Sequence, residues 1–280
     1  MPDRLELEDE TLNALETICA LLRSHTGHDF SLYRKSTIYR CVERRMGLHP
    51  IDDIGHYTRF LREAPAELEL LFKELLIGVT SFFRDPESWN VLRQGALPAL
   101  LASNPPNGVL RAWVPGCSTG EEAHSLAMAF REAAELLDPV RHVELQIFAT
   151  DLDRDAIDRA RQGWYPDKIA SEVSAERLRR FFVQEELGFR IANELREMVV
   201  FTAQNIITDP PFTQLDVICC RNLLIYFSSE LQKKLIPLFH RSLNPGGLLF
   251  LGRDETIGAF SGLFRPLDSK VRLYRRLEES

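Results

Sequence analysis

The chain has 280 residues and a formal net charge of −7, and 45% of its residues are hydrophobic while 27% are charged. These values are typical of a globular protein with one large or two modest domains. The negative charge argues against a non-specific nucleic-acid binder, because such proteins neutralise phosphates with lysine and arginine. No apolar stretch approaches membrane-spanning length, the N-terminus lacks the features of a signal peptide, and the five cysteines have no CxxC spacing. We therefore expect a cytoplasmic protein with reduced thiols and no membrane insertion.

Residues 1–88 are predicted to form an all-helical N-terminal domain that ends in a linker. Apolar residues recur at helical spacing in four segments, 12–22, 31–46, 54–61 and 67–77. The second segment carries five basic residues and one acid, and Arg40 and Arg44 share a helix face because they lie four residues apart. This pattern has two interpretations, a solvated helix face or a docking surface for an acidic helical partner.

The linker between the domains has the sequence GVTSFFRDP, residues 78–86. The aromatic pair Phe82 and Phe83 is expected to fill the groove between the domains. Thr80 and Arg84 are better candidates for reaching a ligand, because a segment between domains often borders a pocket.

From residue 89 onward, strands and helices alternate, which predicts an α/β domain over residues 89–280. Its predicted strands are 109–115, 142–150, 215–220, 248–251 and, as an edge strand, 271–275. Approximately residues 178–201 are predicted to form a small antiparallel subdomain inserted into this domain. Its three predicted strands are Arg180–Gln184, Gly188–Ile191 and Met198–Phe201.

The most informative stretch is VLRAWVPGCSTGEE, residues 109–122, which leads into a helical pattern. Its apolar run, the small residues from Gly116 to Gly120 and the helix start together predict a strand, a tight loop and a helix N-terminus. This arrangement lets the backbone approach a ligand at the edge of a sheet. A phosphate-binding loop would end in Gly-Lys-Ser/Thr, whereas Glu121 and Glu122 occupy those positions here. We therefore expect a ligand with a positively charged group.

Polar residues also follow the other predicted strands. Asp151 ends the second strand, where an acid binds the ribose hydroxyls of a nucleoside in βαβ folds. The alternative interpretation is that Asp151 only caps the next helix. Asn205 follows another apolar run, and Arg221 and Asn222 follow the strand 215–220 and are expected to face the crevice.

This set of carboxylates and amides suits a nucleoside that carries an ammonium or sulfonium group. S-adenosylmethionine fits that description better than NAD, whose pyrophosphate two glutamates would repel. The seven histidines are scattered without HxxxH or HxH spacing, so no metal site is expected.

Five motifs carry a resemblance to a known family. They are Thr80-x-Phe82-Phe83-Arg84, GCSTGEE at 116–122, Ala149-Thr150-Asp151, CRNxxIYF at 220–227 and Pro245-Gly246-Gly247. In this order the motifs resemble the bacterial chemotaxis protein-glutamate O-methyltransferases of the CheR type. The resemblance covers almost the whole chain, and the ordered set is highly specific although no single motif is.

The resemblance implies a class I S-adenosylmethionine-dependent methyltransferase domain, Rossmann-like, with a small antiparallel β insertion and a preceding all-helical domain. It implies methylation of glutamate side chains on the cytoplasmic helical bundle of chemoreceptors, with S-adenosylhomocysteine as the second product. The enzyme would act as a monomer in the cytoplasm. The C-terminal sequence resembles versions that are fused to or associated with methylesterase or sensor domains.

The resemblance also implies residue roles. The cofactor site would contain Thr80, Arg84, Gly116, Glu121, Asp151, Asn205, Ile206, Arg221 and Asn222. Within it, Asp151 would bind the ribose, and Asn205 and Ile206 would lie beside the adenine. Tyr226 would lie near the transferred methyl group and, with Arg84, would position the reactants.

On the helical domain, the resemblance favours the docking interpretation of the basic segment. Arg40, Arg44 and Arg45 would meet the acidic receptor helices.

Three departures from the family pattern leave an alternative open. Gly78 replaces a usual Asn, His124 a common Tyr, and Arg253-Asp254 precede Glu255 where Ser-Ser or His-Ser is usual. The alternative is a non-catalytic module that binds S-adenosylmethionine or S-adenosylhomocysteine within a larger signalling protein.

The sequence DPPF at 209–212 matches a motif of nucleic-acid amino-methyltransferases, which hold a flipped base at the end of a strand. Here it precedes the strand 215–220, so we interpret it as a turn.

Overall fold

The computed structural model describes residues 8–103, 108–137, 143–268 and 270–278. The chain divides into two compact units, Met1–Ile77 with Tyr226–Lys233, and Gly78–Ile225 with Lys234–Ser280. The predicted linker at 78–86 thus groups with the second unit. No helix in the described part of the chain combines the length and apolarity needed to cross a membrane.

The first unit is built on amphipathic helices around a small apolar core. The helices are α1 (Asp9–Thr26), α2 (Lys35–Leu48), α3 (Ile54–Glu63) and α4 (Pro65–Leu75). Their buried side chains recur at helical spacing, as predicted. They include Leu15, Ile18, Leu22, Ile38, Val42, Leu61, Leu68 and Leu71.

A polar cluster is buried in this helical unit around Glu67. The Glu67 carboxylate accepts hydrogen bonds from Arg45 Nε at 2.9 Å, from Arg45 Nη2 at 2.6 Å and from the Tyr57 hydroxyl at 2.7 Å. His49 Nε2 lies 2.8 Å from the same carboxylate. Burial alone would raise the pKa of Glu67, but these donors outweigh it and lower the pKa to about 2.

This cluster separates Arg45 from the docking face on which the sequence analysis placed it. The Arg45 side chain is only 12% exposed because it turns towards Glu67. Arg40 and Arg44 are exposed, and Arg44 pairs with Glu74 of α4. Residues four apart share a helix face whereas adjacent residues do not, so the basic run divides between surface and interior.

The second unit contains a seven-stranded sheet in the order β6-β2-β1-β7-β8-β10-β9. Its strands are β1 (Val109–Pro115), β2 (Glu144–Asp151), β6 (Val199–Ala203), β7 (Leu215–Cys220), β8 (Leu243–Leu251), β9 (Phe264–Asp268) and β10 (Leu273–Arg276). The first five of these pair in parallel, whereas β10 is antiparallel to both β8 and β9. The main core lies between this sheet and its helices.

Helices of the second unit are α5 (Pro86–Val91), α6 (Leu97–Ser103), α7 (Glu121–Ala134), α8 (Arg154–Gln162), α9 (Ala175–Phe181) and α10 (Asn193–Arg196). A π-helical turn, Leu92–Ala96, joins α5 to α6. The helix α11 (Ser229–Ser242) precedes β8, and short 3₁₀ turns occupy Asp167–Ser171 and Leu224–Tyr226.

The small antiparallel sheet exists, but its membership differs from the prediction. It consists of β3 (Trp164–Pro166), β5 and β4, in that order, with β4 at Phe182–Glu185 and β5 at Gly188–Ile191. The predicted third strand at Met198–Phe201 instead belongs to the main sheet, as β6 paired with β2. Alternating apolar residues indicate a strand but do not say which sheet it joins.

The C-terminal end of the main sheet also differs from the prediction. The predicted edge strand at 271–275 is β10, which lies between β8 and β9, so β9 forms the edge. Pro266 concealed β9 in the sequence, although a proline without an N–H group is compatible with an edge strand. β8 begins earlier than predicted, because the turn Asn244–Gly247 bulges out between the pairs Leu215–Leu243 and Val217–Leu248.

We predict that Glu67→Gln destabilises the helical unit by about 3 kcal/mol at pH 7, because it leaves the Arg45 charge buried without its partner. The folded-state pKa of Glu67, about 2, lies below its unfolded value. The stabilisation is therefore present above the unfolded pKa and is lost as the pH falls towards the folded one. Denaturant unfolding followed by circular dichroism should show that the difference in the free energy of unfolding between wild type and variant becomes smaller as the pH is lowered.

The matched control is Glu69→Gln on the same helix, where a half-exposed carboxylate lies 3.6 Å from His25. A surface pair of this kind contributes at most about 1 kcal/mol. Equal effects of the two substitutions would contradict the special position of Glu67.

Candidate functional site

The candidate site lies where the strand order reverses. The central strand β1 pairs with β2 on one side and with β7 on the other, and all three run parallel. The loops that follow β1, β2 and β7 leave the sheet at the same edge. A ligand crevice forms at this position in open α/β sheets.

The loop after β1 is a tight turn held against β2. The backbone N–H groups of Gly116 and Cys117 both donate to the Thr150 carbonyl, at 2.7 and 3.0 Å. Gly116, Ser118 and Gly120 have positive φ values of 72°, 48° and 95°. A Cβ at position 120 would lie 3.0 Å from both Ala160 Cβ and Phe201 Cζ. The close packing therefore requires glycine at position 120.

Asp151 supports this loop from the end of β2. Its Oδ2 accepts from the Ser118 N–H at 2.8 Å, and its Oδ1 accepts from the Asp153 N–H at 2.9 Å. The cap of α8 is instead made by Asp153, which accepts from the N–H groups of Asp155 and Ala156. The alternative interpretation, in which Asp151 only caps the next helix, is therefore wrong. Burial raises the pKa of Asp151, although both of these hydrogen bonds act to lower it.

The two adjacent glutamates that start α7 have different surroundings. Glu121 Oε2 accepts from the Thr119 hydroxyl at 2.7 Å, and burial raises the pKa of Glu121. Glu122 turns towards β7, where Cys219 Sγ lies 3.3 Å from Oε1 and Arg221 Nη1 lies 3.8 Å from Oε2. Burial raises the pKa of Glu122 to about 7, although the nearby Arg221 charge acts to lower it.

The linker segment is fixed within the second unit by backbone and side-chain bonds. The Phe82 N–H donates to Glu172 Oε2 at 2.9 Å, and the Phe83 N–H donates to Ser125 Oγ at 3.0 Å. Both aromatic rings are buried in the core of this unit. They are therefore core residues of this unit. Their burial in that core accounts for the two aromatic side chains without the expected groove between the domains.

Thr80 and Arg84, the two linker residues predicted to reach a ligand, are both partly exposed. Arg84 Nη1 donates to the Val79 carbonyl at 3.2 Å, and the Arg84 carbonyl accepts from Trp89 Nε1 at 3.0 Å. The first contact is at the surface, which leaves the guanidinium able to form further bonds.

Asn205 lies in the turn after β6, adjacent to the end of β2. The Gln204 N–H donates to the Asp151 carbonyl at 2.9 Å, so this turn is tied to the acid at the β2 end. Asn205 Oδ1 accepts from the Ile207 N–H at 3.0 Å, and Ile206 between them is partly exposed. The side-chain amide N–H groups of Asn205 point away from that bond and are its remaining donors.

After β7, the chain is held by Glu255, a residue that the sequence analysis mentioned only as part of a departure. The buried Glu255 carboxylate accepts from the N–H groups of Asn222 at 2.9 Å, Leu224 at 2.7 Å and Gly252 at 2.6 Å. Asn222 has a φ of 57°, and its Oδ1 is buried without a hydrogen-bond partner among the described residues. The signal that could have revealed Glu255 is an acid just after an almost continuously apolar strand.

Arg221 and Tyr226, which were predicted to line the site together with Asn222, have other surroundings. The Arg221 side chain is fully buried and donates from Nη2 to Asp85 Oδ2 at 2.8 Å. Tyr226 ends a 3₁₀ turn and groups with the helical unit, where its carbonyl accepts from the Arg34 N–H at 2.9 Å.

Two of the three departures from the family pattern have a structural explanation, whereas nothing in the structure explains Gly78. His124 is buried with its ring edge-on to Tyr165 and Phe201, and burial lowers its pKa to about 3. It is therefore a neutral core residue. Arg253 and Asp254 are exposed, and their neighbour Glu255 makes the buried bonds.

The chemistry of the crevice fits a positively charged nucleoside. Its charged side chains at the strand ends are the carboxylates of Glu121 and Asp151, and the loop 116–120 contains no lysine. Asn205 and Asn222 add amide donors and acceptors. Carboxylates favour an ammonium or sulfonium group and repel a phosphate.

Comparisons with known proteins agree with this chemistry. The family "CheR methyltransferase, SAM binding domain" matches residues 78–273, and "CheR methyltransferase, all-alpha domain" matches residues 13–76. The chain is 31% identical to a chemotaxis protein methyltransferase of Listeria monocytogenes, over 85% of this chain and 87% of that protein. It is 30% identical to one of Salmonella typhimurium, over 95% of this chain and 89% of that protein.

A relative from Rhodobacter capsulatus, an uncharacterized 104.1 kDa protein, is 37% identical over 96% of this chain. The match spans only 28% of that protein's length. The same pair of domains thus also occurs inside a much longer polypeptide.

Numbered along the chain, the strands of the main sheet have the order 3-2-1-4-5-7-6, with the seventh antiparallel. Together with the family match, this topology confirms the predicted class I methyltransferase fold, the helical N-terminal domain and S-adenosylmethionine as the cofactor. The chain belongs to the CheR methyltransferase family.

Proposed function

We propose that this chain transfers the methyl group of S-adenosylmethionine to glutamate side chains on the cytoplasmic helical bundle of chemoreceptors. The products are glutamate methyl esters and S-adenosylhomocysteine. The observation that carries the proposal is the partly buried pair of carboxylates, Glu121 and Asp151, at the strand ends of a protein of this family. The relatives named chemotaxis protein methyltransferases support chemotaxis adaptation as the context.

In this proposal each part of the crevice binds a different part of the cofactor. The loop Gly116–Gly120 contacts the methionine part, and Glu121 binds its ammonium group. Asp151 accepts from the ribose hydroxyls, since each carboxylate oxygen that already accepts from a backbone N–H keeps a further lone pair. Asn205 and Ile206 lie beside the adenine.

Asn222, Thr80 and Arg84 complete the proposed site. Asn222 is assigned to the site from the family motif, and its Oδ1 is buried without a hydrogen-bond partner among the described residues. Tyr226 is assigned beside the transferred methyl group from the family motif alone.

The proposed reaction needs alignment more than proton transfer. A glutamate side chain has a pKa near 4.3 and is already ionised at neutral pH, so it attacks without a general base. When bound, S-adenosylmethionine supplies a methyl group on a positively charged sulfur. This chain's residues orient the attacking carboxylate in line with that group and exclude water.

The substrate-docking surface in this proposal consists of Arg40 and Arg44 on α2, without the inward-turned Arg45. An acidic receptor helix would pair with the exposed guanidinium groups and be steered to them by charge. Partner domains such as a methylesterase or a sensor are proposed from the resemblance of the C-terminal sequence, and the much greater length of the Rhodobacter capsulatus relative supports additional domains.

The direct test incubates the purified chain with radiolabelled S-adenosylmethionine and the cytoplasmic fragment of a chemoreceptor. We expect label in the receptor that is released by mild alkali, because methyl esters are base-labile. Tight cofactor binding without transfer to any carboxylate would favour the alternative, a non-catalytic regulatory module. Base-stable label on nucleic acid would contradict the proposal.

In the same assay, Arg40→Glu should lower kcat/KM for the receptor and leave cofactor affinity unchanged, because it repels the acidic substrate. The matched control is Arg62→Glu on the exposed side of α3, which should change neither quantity. Equal losses of kcat/KM in both variants would contradict the assignment of α2 as the docking surface.

We predict that Asp151→Asn weakens S-adenosylmethionine binding about tenfold or more, because hydrogen bonds to a charged acceptor contribute more than bonds to a neutral one. Isothermal titration calorimetry on the full chain measures this change. The control Asp153→Asn keeps a good helix cap and should bind like wild type. Unchanged affinity in Asp151→Asn would refute the ribose assignment.

We predict that Glu121→Gln weakens S-adenosylmethionine and S-adenosylhomocysteine by similar factors, because both carry the ammonium group. Since burial raises the pKa of Glu121, its charge is lost as the pH falls through that raised value, and cofactor affinity should fall with it. The pH dependence should be shallower in the variant. Calorimetric titrations across neutral and acidic pH test this, with the exposed Glu87→Gln as control. A loss confined to S-adenosylmethionine would reassign Glu121 to the sulfonium.

A further inference from the structure

The sequence analysis assigned Arg221 to the cofactor site, but its side chain has no exposed surface. Its guanidinium lies beside two aromatic rings that pack edge-on against each other, 4.8 Å from the Phe250 centroid and 5.4 Å from the Trp89 centroid. A group without accessible surface does not touch a molecule in the crevice. Any effect of Arg221 on the cofactor must therefore pass through the residues that it contacts.

This buried guanidinium has two acidic neighbours, and only one of them lies within hydrogen-bond distance. One short hydrogen bond runs from Nη2 to Asp85 Oδ2 at 2.8 Å. Glu122 Oε2 lies 3.8 Å from Nη1, beyond hydrogen-bond distance, and neither Nε nor Nη1 has an acceptor among the described protein atoms. The bond to Asp85 is thus the main compensation for burying this charge.

Asp85 ends the linker segment that carries Thr80 and Arg84. Phe83 and Asp85 have left-handed φ values of 49° and 58°, which residues other than glycine seldom adopt. Such conformations persist where surrounding contacts hold them. The bond to Arg221 is a side-chain contact that fixes the second of these residues.

Glu122 connects the same guanidinium to α7. It is the second residue of α7, directly after the loop Gly116–Gly120 and beside Glu121. Arg221 itself directly precedes Asn222. One buried cation therefore contacts the segments that carry the proposed cofactor residues from the linker, the glycine loop and the end of β7.

We propose that Arg221 is a positioning residue that sets the distance between the linker and the glycine loop, and thereby the affinity for the methyl donor. Its planar fork faces both Asp85 and Glu122, and the two rings pack against the guanidinium. This inference rests on the proposed function for the identity of the ligand, but the contacts that carry it do not depend on that identity.

The test begins with Asp85→Asn, which keeps the shape of the side chain and removes the charge. We expect S-adenosylmethionine and S-adenosylhomocysteine to bind about tenfold more weakly to the full chain by calorimetry, as expected for a charge-assisted hydrogen bond. The exposed Asp254→Asn is the matched control and should bind like wild type. Wild-type affinity in Asp85→Asn would overturn the proposal.

A double-mutant cycle separates positioning from simple stability. Arg221→Met should weaken donor binding, and adding Asp85→Asn should cause little further loss, because the two residues act as one pair. Arg221→Lys keeps the charge and should recover part of the affinity. If Arg221 had only a structural role, the variants would have a lower Tm but the folded protein would bind the donor with unchanged affinity, which would contradict the proposal. Losses in affinity that add up in the double variant would contradict the pairing of Arg221 with Asp85.

Hydrogen exchange provides a readout that needs no ligand. Asp85→Asn should speed amide exchange in residues 78–85 relative to Asp254→Asn, and unchanged exchange there would overturn the inference. Failure of wild type to bind S-adenosylmethionine would instead count against the proposed function, and the exchange result would still decide the role of Arg221.

Discussion

The second unit depends on the compensation of buried carboxylates at one edge of its sheet. Burying an ionised carboxylate is costly unless donors surround it. Asp151 meets this requirement with backbone N–H groups of the loops after β1 and β2, and Glu255 with three N–H groups of the segments after β7 and β8. These acids therefore organise the loops that form the crevice, and they keep negative charge where a cationic ligand would bind.

Neighbouring acids divide the structural and ligand-binding tasks between them. Asp153 caps α8, which leaves Asp151 to the loop and the crevice. Glu122 is engaged by Cys219 and Arg221, whereas Glu121 accepts a hydrogen bond from the Thr119 hydroxyl. Asp151 and Asp153 each accept two backbone N–H bonds, but Asp153 bonds within its own helix whereas Asp151 supports the loop after β1. Residue type alone does not separate the two members, but their partners do.

The sequence predicts the local elements better than it predicts their partners. The strand at 109–115, the loop after it and the acid at position 151 follow from apolar runs, glycine and chain order. The membership of β6 in the main sheet and the central place of β10 are tertiary properties, which alternation cannot encode. Arg45 was misplaced for a related reason, because only the fold brings the buried Glu67 next to it. Arg221 likewise looked like a ligand contact until its burial was visible.

The proposed reaction removes charge from both reactants. The positive sulfur is present before transfer and absent after it, and the attacking glutamate loses its charge as it becomes an ester, so the attraction between donor and acceptor disappears with the transfer. In the proposed binding mode Glu121 and Asp151 contact the ammonium group and the ribose, which donor and product share, so these carboxylates hold both molecules alike. Catalysis then depends on alignment, for which a linker fixed by a buried Arg221–Asp85 pair is well suited.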